Sequence, residues 1–207
     1  MFIVLEGAEG SGKSTQVRLL GDWLAEQGIP HVLTREPGGT KVGEEIRDIL
    51  LHGADIPAQT ELLLMNAARA VFVNDVVKPA LAAGKVVVAD RFWLSSLAYQ
   101  GHGRGLPLDD VRRICAFAAQ GVDPDLTIVL DVSQDESEAR RVGRGADRIE
   151  RAGTEFHQRV AGAYRLLPQT EANVELVSGA GSPAEVSERI RAILRTRLPE
   201  TFGRITG

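Results

Sequence analysis

Gly7, Ala8, Glu9, Gly10, Ser11, Gly12, Lys13, Ser14 and Thr15 follow one another near the start of the chain. Their spacing, a glycine, four residues, then Gly-Lys-Ser, is that of a phosphate-binding loop, or P-loop. An apolar run at residues 2–5 leads into the segment and a helical pattern leads out of it, the context in which such a loop works. Gly7, Gly10 and Gly12 carry no Cβ, so the backbone can turn and aim successive N–H groups inward at phosphate oxygens. Lys13 would set an ammonium on the β- and γ-phosphates of a nucleotide, and Ser14 would offer its hydroxyl to Mg²⁺. The helix opening near Thr15 adds the positive end of its dipole.

A second group of chemically capable residues is Asp90-Arg91-Phe92, at the end of the apolar run 86–89. Ligands of parallel sheets gather beyond the carboxyl ends of the strands, where Asp90 can hold Mg²⁺ through water and Arg91 can grip a second phosphate. The same pair could instead close a strand end as a local ion pair. A third group is the arginine cluster Arg140, Arg141, Arg144 and Arg148, interspersed with Gly143 and Gly145. Phosphoryl transfer between anionic groups needs alignment and neutralising charge more than covalent help, so the lack of a catalytic triad is no obstacle.

The elements that must hold these groups alternate between apolar runs and helical patterns, which implies a parallel sheet with helices on both faces. Strands are expected at residues 2–5, 31–33, 86–89, 126–132 and 174–177. Helices are expected at 15–27, 42–51, 60–83 with Pro79 breaking or kinking it, 108–120, after the capping box Ser133/Glu136, at 154–167, and from Ser182 to about Arg197. At 207 residues, with 43% hydrophobic and 25% charged, one α/β domain is the default. A net charge of −4 argues against binding along a nucleic-acid polymer. No apolar run is long enough for a membrane span and no charged-then-apolar leader opens the chain, so a cytoplasmic protein is expected. Cys115, the only cysteine, falls among the apolar positions of a helix and reads as packing; the four histidines have no metal-ligand spacing.

Four further segments resemble one family over nearly the whole chain. They are Arg35-Glu36-Pro37-Gly38-Gly39-Thr40, Asp90-Arg91-Phe92, Ser95-Ser96-Leu97-Ala98-Tyr99-Gln100-Gly101 and Asp147-Arg148-Ile149-Glu150. Together with the P-loop they are similar to the bacterial thymidylate kinases. The resemblance implies a three-layer α/β/α P-loop NTPase fold with a five-stranded parallel sheet and a short lid at residues 140–151. It also implies transfer of the ATP γ-phosphoryl group to dTMP, Mg²⁺ dependence and a homodimer. Residue by residue, it assigns Arg35 and Arg91 to the dTMP phosphate, Pro37 to the shape of the pocket, and Arg69 to the thymine edge. Ser96 and Gln100 contact the base, Tyr99 crowds the sugar 2′ position, and Glu9 lies near the 3′-hydroxyl and the metal. From the residues alone, the competing readings are that Arg69 snorkels from its apolar helix to the surface and that Tyr99 is core packing.

Family members that lack a cation inside the P-loop supply it from the lid, and Ala8, Glu9, Gly10 and Ser11 include none. The resemblance therefore implies that Arg144 or Arg148 is brought onto the transferring group, with Lys13 and Arg91 as the other catalytic cations. Met65 departs from the pattern: it stands where most relatives place a phenylalanine on the thymine ring. Three other readings remain on the sequence: a kinase for a different nucleoside monophosphate, a nucleotide-dependent switch, and an inactive dimeric scaffold. The last two are disfavoured by the paired phosphate sites and by intact Lys13, Asp90 and Arg91.

Overall fold

The computed structural model describes residues 1–141 and 147–203. Its centre is a five-stranded parallel sheet in the order β2-β3-β1-β4-β5. The strands are β1 (Phe2–Glu6), β2 (His31–Arg35), β3 (Val86–Asp90), β4 (Leu126–Asp131) and β5 (Val174–Ser178). β1, β3 and β4 are the inner strands, and their nearly continuous apolar sequences fit burial on both faces. All five expected strands form, with ends shifted by a residue or two; β2 runs on to Arg35 and so delivers that residue to the sheet edge where the other motifs end.

Side chains of β1 alternate between two cores. Ile3 and Leu5 pack with Leu20, Trp23 and Leu24 of α1 (Lys13–Glu26) and with Ile190 and Leu194 of α9 (Pro183–Arg197). Phe2 and Val4 face the opposite side, with Phe72 from α3 (Ala58–Phe72) and Phe92. The remaining helices are α2 (Lys41–His52), α4 (Lys78–Ala82), α5 (Trp93–Ser96), α6 (Leu108–Ala119), α7 (Gln134–Arg141), α8 (Thr154–Leu166) and α10 (Pro199–Phe202). Cys115 is buried on α6, as expected for packing.

The long helix expected at 60–83 is not cut at Pro79. The π-helical turn Val73–Val77 joins α3 to α4. A proline has no N–H and its ring crowds the carbonyl four residues back, here Asp75, and the widened turn accommodates both. A second π-helical segment, Leu97–Gly103, follows α5 and carries Tyr99 and Gln100. Its position beside the carboxyl edge of the sheet agrees with the tendency of such turns to occur at functional sites. Both expected capping boxes form: Ser133 and Glu136 exchange side-chain-to-backbone hydrogen bonds, and so do Ser182 and Glu185.

Candidate active site

Three chain turns meet at the carboxyl edge: the P-loop after β1, the turn at residues 36–40 after β2, and the segment 91–92 after β3. In the P-loop Gly7, Gly10 and Gly12 have φ of +141°, +73° and +96°. A Cβ on Gly10 would come within 2.6 Å of the Ser137 carbonyl oxygen, so only glycine lets α7 pack this closely on the loop. Ser137 Oγ fastens that contact by donating to the Glu9 carbonyl at 2.7 Å. Lys13 is buried and its ammonium donates to the carbonyls of Gly7 (3.1 Å) and Ala8 (2.9 Å). Burial, with Arg91's charge adding to it and Asp90 opposing, brings its pKa down to about 8. Ser14 Oγ donates to Asp90 Oδ2 at 2.6 Å, so the two expected metal-side groups adjoin.

Arg91 stands between this loop and a neighbouring cavity. Its Nη1 donates to the Gly7 carbonyl (3.2 Å), Ser95 Oγ (3.1 Å) and the Tyr164 hydroxyl (3.0 Å). Its Nη2 donates to Glu9 Oε2 (3.3 Å) and the Tyr99 hydroxyl (3.0 Å), and the guanidinium lies 4.9 Å from the centre of the Tyr99 ring. The backbone at Arg91 has φ +76°, a conformation costing a non-glycine residue about 1–3 kcal/mol, and its N–H is held by the Leu5 carbonyl at 2.9 Å. Behind it, the fully buried Glu6 carboxylate accepts from the Phe92 and Ser95 N–H groups, Ser95 Oγ and the Tyr164 hydroxyl. Burial pushes the Tyr99 hydroxyl up to about 12 against the pull of Arg91, so Tyr99 serves as a neutral partner.

The cavity has a volume of about 210 Å³ and is lined by Glu9, Pro37, Met65, Arg69, Arg91, Ser96, Tyr99 and Gln100 among others. Those are all of the expected substrate-side residues except Arg35. The guanidinium of Arg35 instead pairs with the Glu44 carboxylate at 3.0 Å and is about half exposed (54%), while Glu44 also accepts from the Gly39 N–H. Arg47, which sequence reasoning missed, takes the place on the cavity wall, with Nη1 donating to the Pro37 carbonyl at 2.9 Å. Arg69 does not snorkel. It is 2% exposed, ion-paired with Glu36 at 2.9 Å, and donates to Asn66 Oδ1, Ser96 Oγ and the Phe92 carbonyl. Burial pushes the Glu36 carboxyl up to about 7, with Arg69 limiting the rise. Glu36 and His157 also line the cavity unforeseen. Glu36 was within reach of a sequence reading because it lies inside the quoted 35–40 motif; His157 and Arg47 had no local signal.

The arginines expected in the lid part company. Arg140 reaches back along the P-loop to the carbonyls of Gly10 (3.5 Å), Ser11 (3.4 Å) and Gly179 (3.1 Å). Arg144, with Gly143 and Gly145, lies outside the described residues. Arg148 is buried rather than turned to the P-loop: Nη2 pairs with Glu61 at 2.8 Å and Nε donates to the Leu50 carbonyl at 2.8 Å. In this conformation the Glu61 carboxylate holds the charge of Arg148 away from the P-loop. The stretch 178–182 adjoins the P-loop, with Arg140 bridging the carbonyls of Ser11 and Gly179 and the Gly179 N–H donating to the Asp131 carbonyl.

A family profile described as thymidylate kinase matches residues 5–190. The chain belongs to the thymidylate kinase family. It is 47% identical over 206 residues to the thymidylate kinase of Synechococcus sp. (strain JA-2-3B'a(2-13)), covering 99% of each chain. It is 46% identical to that of Symbiobacterium thermophilum (98% of this chain, 96% of the relative) and 53% identical over 171 residues to that of Pelotomaculum thermopropionicum (80% and 79%). As a thymidylate kinase the chain phosphorylates dTMP to dTDP, with ATP as the family's donor. None of its described helices is long and apolar enough to cross a membrane.

Proposed function

We propose that the P-loop residues Gly7 to Thr15 hold the ATP phosphates while the adjoining cavity holds dTMP, and that Arg91 is the cation shared by the two. Arg91 carries the reading because one guanidinium contacts both the P-loop carbonyl of Gly7 and the cavity wall at Tyr99. Lys13 neutralises the donor phosphates, and Arg91 orients and neutralises the acceptor phosphate, so that its oxygen lines up with the γ-phosphorus. The acceptor is already anionic, so no residue has to remove a proton. Arg47 joins Arg91 on the phosphate side of the cavity; Arg35 acts indirectly, bracing the 36–40 turn through Glu44. Pro37, Met65, Arg69, Ser96 and Gln100 surround the base, while Tyr99 and Glu9 face the sugar.

A Mg²⁺ requirement fits the residues present. Ser14 Oγ and Asp90 adjoin at the P-loop, and among the described residues no group of three or more His, Cys, Asp or Glu side chains is placed to hold a metal ion. Mg²⁺ keeps most of its waters and takes one or two protein ligands plus phosphate oxygens, so Ser14 and, through water, Asp90 suffice. When bound, the ion supplies charge neutralisation at the donor phosphates.

The dimer belongs to the same proposal. Helices α2 and α6 both pack against α3, and the three helices expose Ile49 (49%), Leu63 (58%) and Phe117 (88%). Exposed apolar side chains on neighbouring helices suit a partner surface, and a second copy is the partner the family resemblance implies. A cytoplasmic enzyme acting in dTTP biosynthesis completes the reading. The direct test is steady-state ADP formation from ATP and Mg²⁺ with and without dTMP. Rapid turnover only with dTMP is expected; equal ADP release without it would overturn the two-site reading.

A further inference from the structure

The carboxylate of Glu61, in the first turn of α3, is fully buried and does not line the cavity, yet four hydrogen bonds from three side chains end on it. Gln100 Nε2 donates to Oε1 at 2.8 Å, Arg104 donates to Oε1 (3.3 Å) and Oε2 (3.0 Å), and Arg148 Nη2 donates to Oε2 at 2.8 Å. Burial raises its pKa, but the bonds from Arg104 and Gln100 and the arginine charges outweigh that, so it lies below the ordinary glutamate value. An ionised carboxylate only accepts. Gln100, itself buried but part of the cavity lining, must turn its NH₂ toward Glu61 and its carbonyl oxygen the other way.

We infer that Glu61 is a positioning residue for pyrimidine choice: it locks the Gln100 amide so that the carbonyl oxygen faces the base. A carbonyl there accepts the N3–H of thymine or uracil and opposes the N3 lone pair of cytosine. This rests on the assignment of the cavity to dTMP. Because Arg148 sits in the 147–150 turn and ends on the same carboxylate, the base reader and the base of the lid share one anchor.

The test compares kcat/KM for dTMP, dUMP and dCMP in the wild type, Arg104→Gln, Glu61→Gln/Arg104→Gln and Gln100→Leu. The double variant keeps the net charge of the cluster, and Arg104→Gln alone keeps the acceptor for Gln100. Arg104→Gln is expected to retain the wild-type selectivity. In the double variant the dTMP:dCMP ratio should fall about tenfold or more, chiefly through KM, while dTMP:dUMP stays within about twofold, since those two bases share the N3–H. General loosening of the pocket would move both ratios. Equal dTMP:dCMP ratios in the single and double variants would overturn the inference. Should the double variant not fold, Glu61→Asp withdraws the carboxylate from Gln100 while keeping its charge; an unchanged dTMP:dCMP ratio there would overturn it equally. An unchanged dTMP KM in Gln100→Leu would instead refute the assignment of the cavity.

Discussion

Lys13 shows how burial tunes a single charge. Its pKa is drawn from 10.5 down to about 8, so between those values the unfolded chain binds the proton that the folded chain releases. For this group, folding stability therefore rises with pH through that window. Function runs the other way, because only the ammonium neutralises phosphate. The kcat/KM for ATP should fall as pH rises past about 8. Bound polyphosphate favours the charged form, so the corresponding fall in kcat should come at higher pH. A kcat/KM profile flat to about pH 9.5 would contradict this account of Lys13. At Met65 the expectation concerns packing: a thioether rests on an aromatic face less completely than a ring does. Met65→Phe should lower the KM for dTMP by about threefold to tenfold with kcat nearly unchanged; equal KM values would mean that the base does not lie against this side chain.

At the scale of elements, the signals that proved legible were local. The P-loop spacing, the five apolar runs and the two capping boxes each lie within a few consecutive residues, and the chain folds there as those residues direct. Pairings between distant elements were not legible. Arg148 meets Glu61 across 87 residues, Arg69 meets Glu36 across 33, and nothing in either local pattern encodes the partner. The same limit applies at Arg35: Glu44 lies on the first turn of α2, where a carboxylate also serves the Gly39 N–H, and it pairs with the guanidinium. The π-helical segments likewise answer to packing around Pro79 and the cavity rather than to propensity. One element-scale prediction concerns the 35–40 turn, which is tied to α2 by Thr40 Oγ1 accepting from the Gly43 N–H at 2.9 Å. Thr40→Ala should cost about 1 kcal/mol, about 2–4 °C in Tm. It should also raise the KM for dTMP, because Pro37 and Arg47 are set by that turn; a stability loss with no change in KM would separate the cap from the site.

For the whole molecule, the sheet order places β1 between β3 and β4, so that the P-loop, the Arg91 segment and the 36–40 turn converge on one rim. Helices α2, α3 and α6 expose the apolar side chains of Ile49, Leu63 and Phe117. For the proposed dimer, Phe117→Glu should shift the protein toward monomer in sedimentation, and an unaltered dimer would move the interface elsewhere. Central to the whole arrangement is the Arg91 guanidinium, which touches both the phosphate loop and the cavity. The most direct measurement is the steady-state turnover of Arg91→Ala with ATP and dTMP, beside its thermal unfolding. The account expects a folded enzyme whose kcat/KM for dTMP falls by about 10³-fold or more. Turnover within about threefold of wild type would contradict the claim that Arg91 joins the two substrates.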